Sequence, residues 1–220
     1  KNKEDIKKLA SQCDVLTIEI EHVDINTLEE VSKEYPNLQI HPSPETIGLI
    51  KDKYLQKVHL IKNGIKVAES YPIEDNTVEC LSKTGEKISY PFLLKSRTEA
   101  YDGRGNYVVR DSTQLSPALE FLKNRPLYAE RFAPFEKELA VMIIKQQNGE
   151  VKSFPVVETI HQDNICHTCY APARIGSRQI KTAEELALKT VATFPGCGIV
   201  GVEMFLMKDG DVLVNEIAPR

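Results

Sequence analysis

Ile199-Val-Gly-Val-Glu203-Met-Phe-Leu-Met207 and Val212-Leu-Val-Asn215-Glu216-Ile217, separated by Lys208-Asp209-Gly210-Asp211, read as the two strands of a hairpin. With Asp209-Gly210 as the two loop residues, Lys208 opposes Asp211, and the same register sets Glu203 directly across from Glu216. Side chains opposed in this way share a face with Cβ atoms ~5 Å apart. Phe205, Met207, Val212 and Val214 are expected on that face and make it apolar. Two carboxylates ~5 Å apart repel by about 3 kcal/mol at an effective dielectric of about 20. A divalent cation reverses that repulsion, and two carboxylates plus phosphate oxygens are a common way to hold Mg²⁺. Asn215 adds an amide oxygen beside the pair. The alternative at this level is one glutamate at a solvated mouth and an incidental pairing.

Upstream, residues 1–42 alternate helix and strand. Ile6 and Leu9 have helical spacing, Val15-Leu16-Thr17-Ile18 is an apolar run, Ile25, Leu28 and Val31 mark a second helix, and Leu38-Gln39-Ile40 a second strand. Such alternation means parallel βαβ units, and two strands suit the end of a larger α/β domain. Ser43-Pro44-Glu45 starts a helix. Asp52 caps another, whose apolar positions are Tyr54, Leu55, Val58 and Ile61 and whose end is Gly64. After Pro72 short strands dominate, at Phe92–Lys95, Tyr107–Arg110, Leu127–Glu130, Glu138–Lys145, Phe154–Glu158 and Ile165–Tyr170. Helices are expected near Ser116–Lys123 and from Thr182 to Phe194, the latter opened by the capping box Thr182-Ala-Glu-Glu185. This larger part is α+β. The expected division is 1–42 and 43–220. With no initiator Met and an end directly after a strand, the chain reads as part of a longer one.

Lys95-Ser-Arg97-Thr-Glu-Ala100-Tyr101-Asp102-Gly103-Arg104-Gly105-Asn106 joins two of these strands. Glycines let backbone N–H groups approach phosphate oxygens, and Lys95, Arg97 and Arg104 supply charge. The loop enters a strand and lacks Gly-Lys-Ser/Thr, so it is no Walker loop and fits a hairpin flap over a nucleotide. Taken alone, its glycines also fit an ordinary solvated turn. In Tyr128-Ala-Glu130-Arg131-Phe132-Ala133, a strand runs into a connector able to offer backbone groups to an adenine edge, with Glu138 placed to accept from ribose hydroxyls. Cys166-His-Thr-Cys169 has the spacing of a metal or redox pair. On a regular strand positions three apart point to opposite faces, which argues against a shared ion. His161 stands just before the intervening turn.

Lys and Arg number 28 against 32 Asp and Glu, a net charge of −4 that opposes non-specific nucleic-acid binding. A hydrophobic share of 41% with 27% charged residues excludes collagen-like and disordered classes. No apolar run approaches the ~18 residues of a membrane span. Cys13, Cys80, Cys166, Cys169 and Cys197 are odd in number and scattered, which reads as reduced thiols in a cytoplasmic protein.

In this order, Lys95, Tyr101-Asp-Gly-Arg-Gly105, Glu130-Arg-Phe-Ala133, Glu138, His161-Gln-Asp and Asn215-Glu216-Ile-Ala-Pro-Arg220 resemble the ATP-grasp ligases of purine synthesis. The pattern is most similar to the 5-(carboxyamino)imidazole ribonucleotide synthases. Leu16-Thr-Ile-Glu-Ile-Glu-His22 looks like the fungal form, the N-terminal ligase part of the phosphoribosylaminoimidazole carboxylases. The resemblance covers essentially the whole chain and implies an ATP-grasp fold preceded by the end of a Rossmann-like pre-ATP-grasp domain.

It also implies the chemistry. ATP and bicarbonate give carboxyphosphate, whose carboxyl group passes to aminoimidazole ribonucleotide. Lys53 and Lys95 would contact ATP phosphates under the Ala100–Asn106 lid, which includes Gly103, Gly105 and Asn106. Glu130, Arg131, Phe132 and Ala133 would flank adenine, Glu138 would hold ribose, and His161 would lie near the nucleotide. Glu203 and Glu216 would hold Mg²⁺ beside Asn215. Tyr101, Asp102 and Arg104 would face the carboxylation centre. The partners implied are small molecules, neither nucleic acid nor membrane, with a homodimer in the full-length protein. The 220 residues by themselves are expected to retain nucleotide-site elements but to have little or no ligase activity. Alternatives are another ATP-grasp ligase, of the ribonucleotide transformylase or biotin carboxylase type, and a non-catalytic ATP-binding module.

Overall fold

Helix α1 (Lys3–Ala10), strand β1 (Val15–Thr17), helix α2 (Ile25–Glu34) and strand β2 (Gln39–His41) form the expected βαβ unit, with β1 and β2 parallel. The computed structural model describes residues 2–99 and 105–220. Asn2 caps α1 and Asp24 caps α2, the latter accepting from the Thr27 backbone at 2.8 Å. Leu16, Ile18, Leu28, Val31 and Ile40 make a small core, which Ile47 of α3 (Pro44–Lys51) joins. Ile50, one turn further along α3, packs into a different core. Successive turns of this helix therefore join the two cores.

Helix α4 (Lys53–Lys62) follows directly and overturns the expected apolar face. It buries Gln56, Lys57 and Leu60, while Leu55 and Ile61 are exposed. The polar residues turn inward because they find partners there: Gln56 exchanges two hydrogen bonds with Ile217 of the last strand, donating to its carbonyl at 3.0 Å and accepting from its N–H at 2.8 Å. An amide side chain so paired removes the penalty for its own burial.

A four-stranded antiparallel sheet comes next, in the order β3 (Ser70–Ile73), β6 (Leu127–Arg131), β4 (Phe92–Ser96), β5 (Asn106–Val109). Helices α5 (Val78–Ile88) and α6 (Leu115–Phe121) supply its core with Leu81, Ile88, Leu115 and Ala118. The sequence pattern predicts neither β3 nor α5. Gly85 and Thr84 weaken α5's local helix signal, but tertiary packing favours the glycine. A Cβ there would stand 2.6 Å from the Tyr90 hydroxyl.

The larger antiparallel sheet has the order β10 (Ile165–Tyr170), β9 (Val157–Gln162), β7 (Phe135–Lys145), β11 (Gly198–Met207), β12 (Val212–Pro219), with β8 (Val151–Ser153) pairing the far end of β7. Of the expected strand Phe154–Glu158, residues 154–156 are the gap between β8 and β9, while Val157 and Glu158 open β9. Pro155 has no N–H for a ladder there. Helix α7 (Ser177–Ala192) covers the back of this sheet, with Ala183, Ala187 and Val191 against Val141, Val202 and Met204. It starts five residues before the expected capping box. Thr182 lies inside it and its hydroxyl donates to the Arg178 carbonyl at 3.0 Å. The front of the large sheet, the inner strands β4 and β6 of the small sheet and the inward face of α4 converge on one cleft.

Candidate functional site

Asp52 anchors one side of the cleft. One oxygen accepts from the Tyr54 and Leu55 N–H groups at 3.0 Å each, capping α4. The same carboxylate takes the Arg97 guanidinium in a fork, at 3.1 Å from Nε and 2.7 Å from Nη2. The Lys53 N–H closes the joint by donating to the Arg97 carbonyl at 2.8 Å. Arg97 is therefore committed to holding the root of the following loop against α4, and the expected free charge for a phosphate is absent at that position.

From this anchored helix Lys53 reaches Glu216, Nζ to Oε2 2.5 Å. Lys57, one turn on, stands 2.8 Å from Oε2 of Glu130, and Lys95 on β4 donates to the other oxygen at 3.3 Å. The Tyr128 ring lies beneath Lys95 with its centroid 5.8 Å from Nζ. Burial opposes the charge of both lysines. It carries the Lys57 pKa downward, whereas Glu130 and Glu216 together outweigh it at Lys95 and raise that one. Lys57 was missed in the sequence, although its four-residue spacing from Lys53 puts both on one helix face.

Glu203 and Glu216 do face one another in the β11–β12 ladder, but by a different route from the two-residue turn. Met207 donates to the Asp211 carbonyl and Gly210 to that of Met207, so the loop holds Lys208, Asp209 and Gly210, with Gly210 at φ +87°. That shifts the register by one residue. A bulge at Asn215 between the Glu203–Glu216 and Met204–Val214 pairs shifts it back. As a correction, Val212 and Val214 point to the core with Met204 and Leu206, not to the face of the glutamates. The bulge restores Glu216 to the cleft side.

Burial, then the charge of Glu216, raises Glu203 to about 7. Burial acts on Glu216 in the same sense, but Lys53 and Lys95 override it and hold that carboxyl at about 2. Asn215 Oδ1 is buried without a hydrogen-bond partner among the described residues. Two carboxylates and an orphaned amide oxygen form a hard-oxygen donor set, which fits Mg²⁺.

At the other end of the cleft Glu138 and His161 share the front face of β7 and β9, with His161 Nδ1 2.6 Å from Glu138 Oε2. Burial raises the Glu138 carboxyl, and His161 opposes that rise. Phe135 and Phe205 stack beside them, ring centroids 4.6 Å apart. In the connector, Arg131 pairs with Glu69 through Nε at 2.7 Å, and Phe132 is partly exposed ahead of Ala133. The Glu130 side chain points the other way, into the lysines, where it is 1% exposed. Ala100, Tyr101, Asp102, Gly103 and Arg104 lie outside the described residues. Gly105 accepts from the Ser96 N–H at 2.8 Å, and Asn106 pairs with Lys95 in the β4–β5 ladder.

Contrary to expectation, Cys166 and Cys169 share one face of β10. A bulge at His167 sets Cys166 opposite His161 and Cys169 opposite Thr159, two residues apart on β9 and so on one face. Among the described residues no three His, Cys, Asp or Glu side chains are grouped to hold a metal.

The description of the ATP-grasp domain matches residues 58–220 of this chain. The chain belongs to the ATP-grasp family. Residues 1–51 match the ribonucleotide synthetase pre-ATP-grasp domain. The chain is 58% identical over 219 residues to the phosphoribosylaminoimidazole carboxylase of Candida glabrata, covering all of this chain and 38% of that protein. It thus spans well under half the length of that relative. Among solved structures it resembles the carboxyaminoimidazole ribonucleotide synthase of Aspergillus clavatus complexed with ATP, with TM-score 0.95 and 48% identity over 99% of this chain and 56% of that one. The same ATP-grasp arrangement recurs in the Aspergillus clavatus N5-carboxyaminoimidazole synthase in complex with ADP and 5-aminoimidazole ribonucleotide, with TM-score 0.93 and 46% identity over 99% and 56%.

Proposed function

We propose that this chain is the nucleotide-binding part of a phosphoribosylaminoimidazole carboxylase, working as its 5-(carboxyamino)imidazole ribonucleotide synthase. Residues 1–42 end the pre-ATP-grasp domain and residues 43–220 supply the ATP-grasp body. Bicarbonate oxygen attacks the γ-phosphorus of ATP and ADP departs, giving carboxyphosphate. The amino nitrogen of aminoimidazole ribonucleotide then attacks the carboxyl carbon, inorganic phosphate leaves, and the nitrogen gives up its proton. Phosphorylation turns a poor electrophile into one with a leaving group, so the protein's task is charge neutralisation and exclusion of water.

The residues divide that task. Lys53 and Lys95 take the phosphates, with the Ala100–Asn106 loop as lid. Arg131, Phe132 and Ala133 present the connector to adenine, Glu138 accepts from ribose, and His161 orients Glu138 through their 2.6 Å contact. Tyr101, Asp102 and Arg104 are assigned to the carboxylation centre. Glu203 and Glu216 would hold Mg²⁺ with Asn215 beside them, and the ion would supply positive charge to the phosphate oxygens. Until then Lys53 balances Glu216. The observation carrying this reading is the convergence of Lys53, Lys95, Glu203 and Glu216, from a helix and two sheets, on one cleft.

The test is phosphate release from ATP by the natural full-length protein. Release that requires both bicarbonate and aminoimidazole ribonucleotide, and that Glu216→Ala abolishes, is expected. Release indifferent to bicarbonate would end the carboxylase reading.

A further inference from the structure

The charge cluster between α4 and the small sheet holds one more ammonium than these roles use. Lys57 is 2% exposed at its side chain, and its Nζ lies against one oxygen of Glu130 at 2.8 Å. The other oxygen of that carboxylate accepts from Lys95 at the longer distance of 3.3 Å. Glu130 is itself 1% exposed, so among the described residues these two lysines are its ion-pair partners. The carboxylate is shared between a closer ion pair with the deeper lysine and a longer hydrogen bond from Lys95.

We propose that Lys57 is a positioning residue that acts through Glu130, occupying one oxygen of its carboxylate so that the Lys95 ammonium stays presented to the phosphates of the nucleotide. The inference rests on the reading of Lys95 as a phosphate contact. A buried carboxylate stripped of one cation is costly, and it draws the remaining cation closer. Without Lys57, Glu130 would close on Lys95 alone, and a nucleotide would have to break a buried ion pair to recruit that ammonium. The effect should fall on ATP and spare bicarbonate, since the proposed carboxylation centre is assigned to other residues.

The experiment uses the full-length natural enzyme with steady-state kinetics and a thermal midpoint for each variant. In Lys57→Met the KM for ATP is expected to rise about tenfold while the KM for bicarbonate stays within about twofold. Lys57→Arg, which keeps the charge, is expected to recover most of that loss. Adding Glu130→Gln to Lys57→Met removes the carboxylate that captures Lys95, and should lower the KM for ATP at least about threefold from the Lys57→Met value. A folded Lys57→Met with unchanged KM for ATP overturns the proposal, as does a double variant no better than the single.

If Lys57→Met does not fold, the charge-balanced double variant decides, and a folded double with KM for ATP about tenfold above wild type overturns it. Lys95→Met separates the two readings. Should Lys95→Met leave the KM for ATP unchanged, the phosphate assignment fails and takes this inference with it. If it raises that KM while Lys57→Met does not, only the role of Lys57 fails.

Discussion

Glu203 and Glu216 stand opposite one another in the same ladder yet ionise far apart, the first at about 7 and the second at about 2. Backbone geometry makes them equivalent; the lysines do not. Lys53 and Lys95 approach from the side of Glu216, so the pair shares its repulsion by keeping one member charged and leaving the other near neutrality. A divalent cation placed between them meets one carboxylate already ionised and displaces a proton from the other near neutral pH.

That asymmetry sets a pH dependence. Glu203 has a folded pKa above its ordinary value of 4.5, so its contribution to stability is present below that value and is lost as the pH rises through about 7. A cation that needs both carboxylates competes with the same proton. The Mg²⁺-dependent part of the upward shift in thermal midpoint with ATP is expected to shrink between about pH 8 and about pH 6. Melts at several pH values measure it, and a shift constant across that range would contradict the clamp.

Replacing Glu216 by Gln removes the partner of Lys53 and one proposed cation ligand together. ATP with Mg²⁺ is then expected to give no more stabilisation than ATP alone, read from the same melts. A variant that keeps the full Mg²⁺ response would move the metal site elsewhere.

Asp52→Ala removes a helix cap and strands Arg97. A lost cap costs about 1 kcal/mol and the orphaned, partly buried guanidinium adds to that, for a total of about 2–3 kcal/mol. Urea unfolding of the chain gives the number. A loss below about 0.5 kcal/mol would mean that water replaces both contacts.

Gly85→Ala should destabilise although alanine is the better helix former. The added Cβ would stand 2.6 Å from the Tyr90 hydroxyl and 2.8 Å from its ring carbon. Overpacking of this kind costs about 1–3 kcal/mol against a helix gain of up to about 1 kcal/mol. A raised thermal midpoint would show that Tyr90 swings aside.

Glu158 provides an acid-limb test remote from the cleft. Hydrogen bonding from Arg174, with Lys137, lowers its carboxyl to about 2. Its contribution is present above its ordinary 4.5 and is lost as the pH falls toward about 2. Half of the Arg174 side chain is exposed, so screening reduces the effect to about 1–2 kcal/mol. Glu158→Gln is expected to lower stability at neutral pH and to flatten the acid side of the stability profile. An unchanged profile would assign the acid limb to other carboxylates.

Local pattern was enough for the elements whose signals are local. Caps at Ser43 and Asp52, the βαβ alternation and the β4–β5 hairpin appear where residue order places them. The Glu203–Glu216 pairing was legible for a partly fortuitous reason, since a longer turn and the Asn215 bulge cancel. Neither irregularity has a local cue strong enough to be read alone. The same blindness to bulges hid the common face of Cys166 and Cys169.

Residue order thus determined the family motifs and the types of group in the cleft, because hydrophobic periodicity, capping and turn chemistry act over a few neighbours. Only tertiary structure decided which charges meet. Arg97 is taken up by Asp52, Glu130 turns into two lysines, and Gln56 and Lys57 lie with Leu60 on the buried face of a helix whose Leu55 and Ile61 are outside. A buried polar group is tolerated only where a distant segment supplies its partner, and that distance in sequence is what local pattern does not carry.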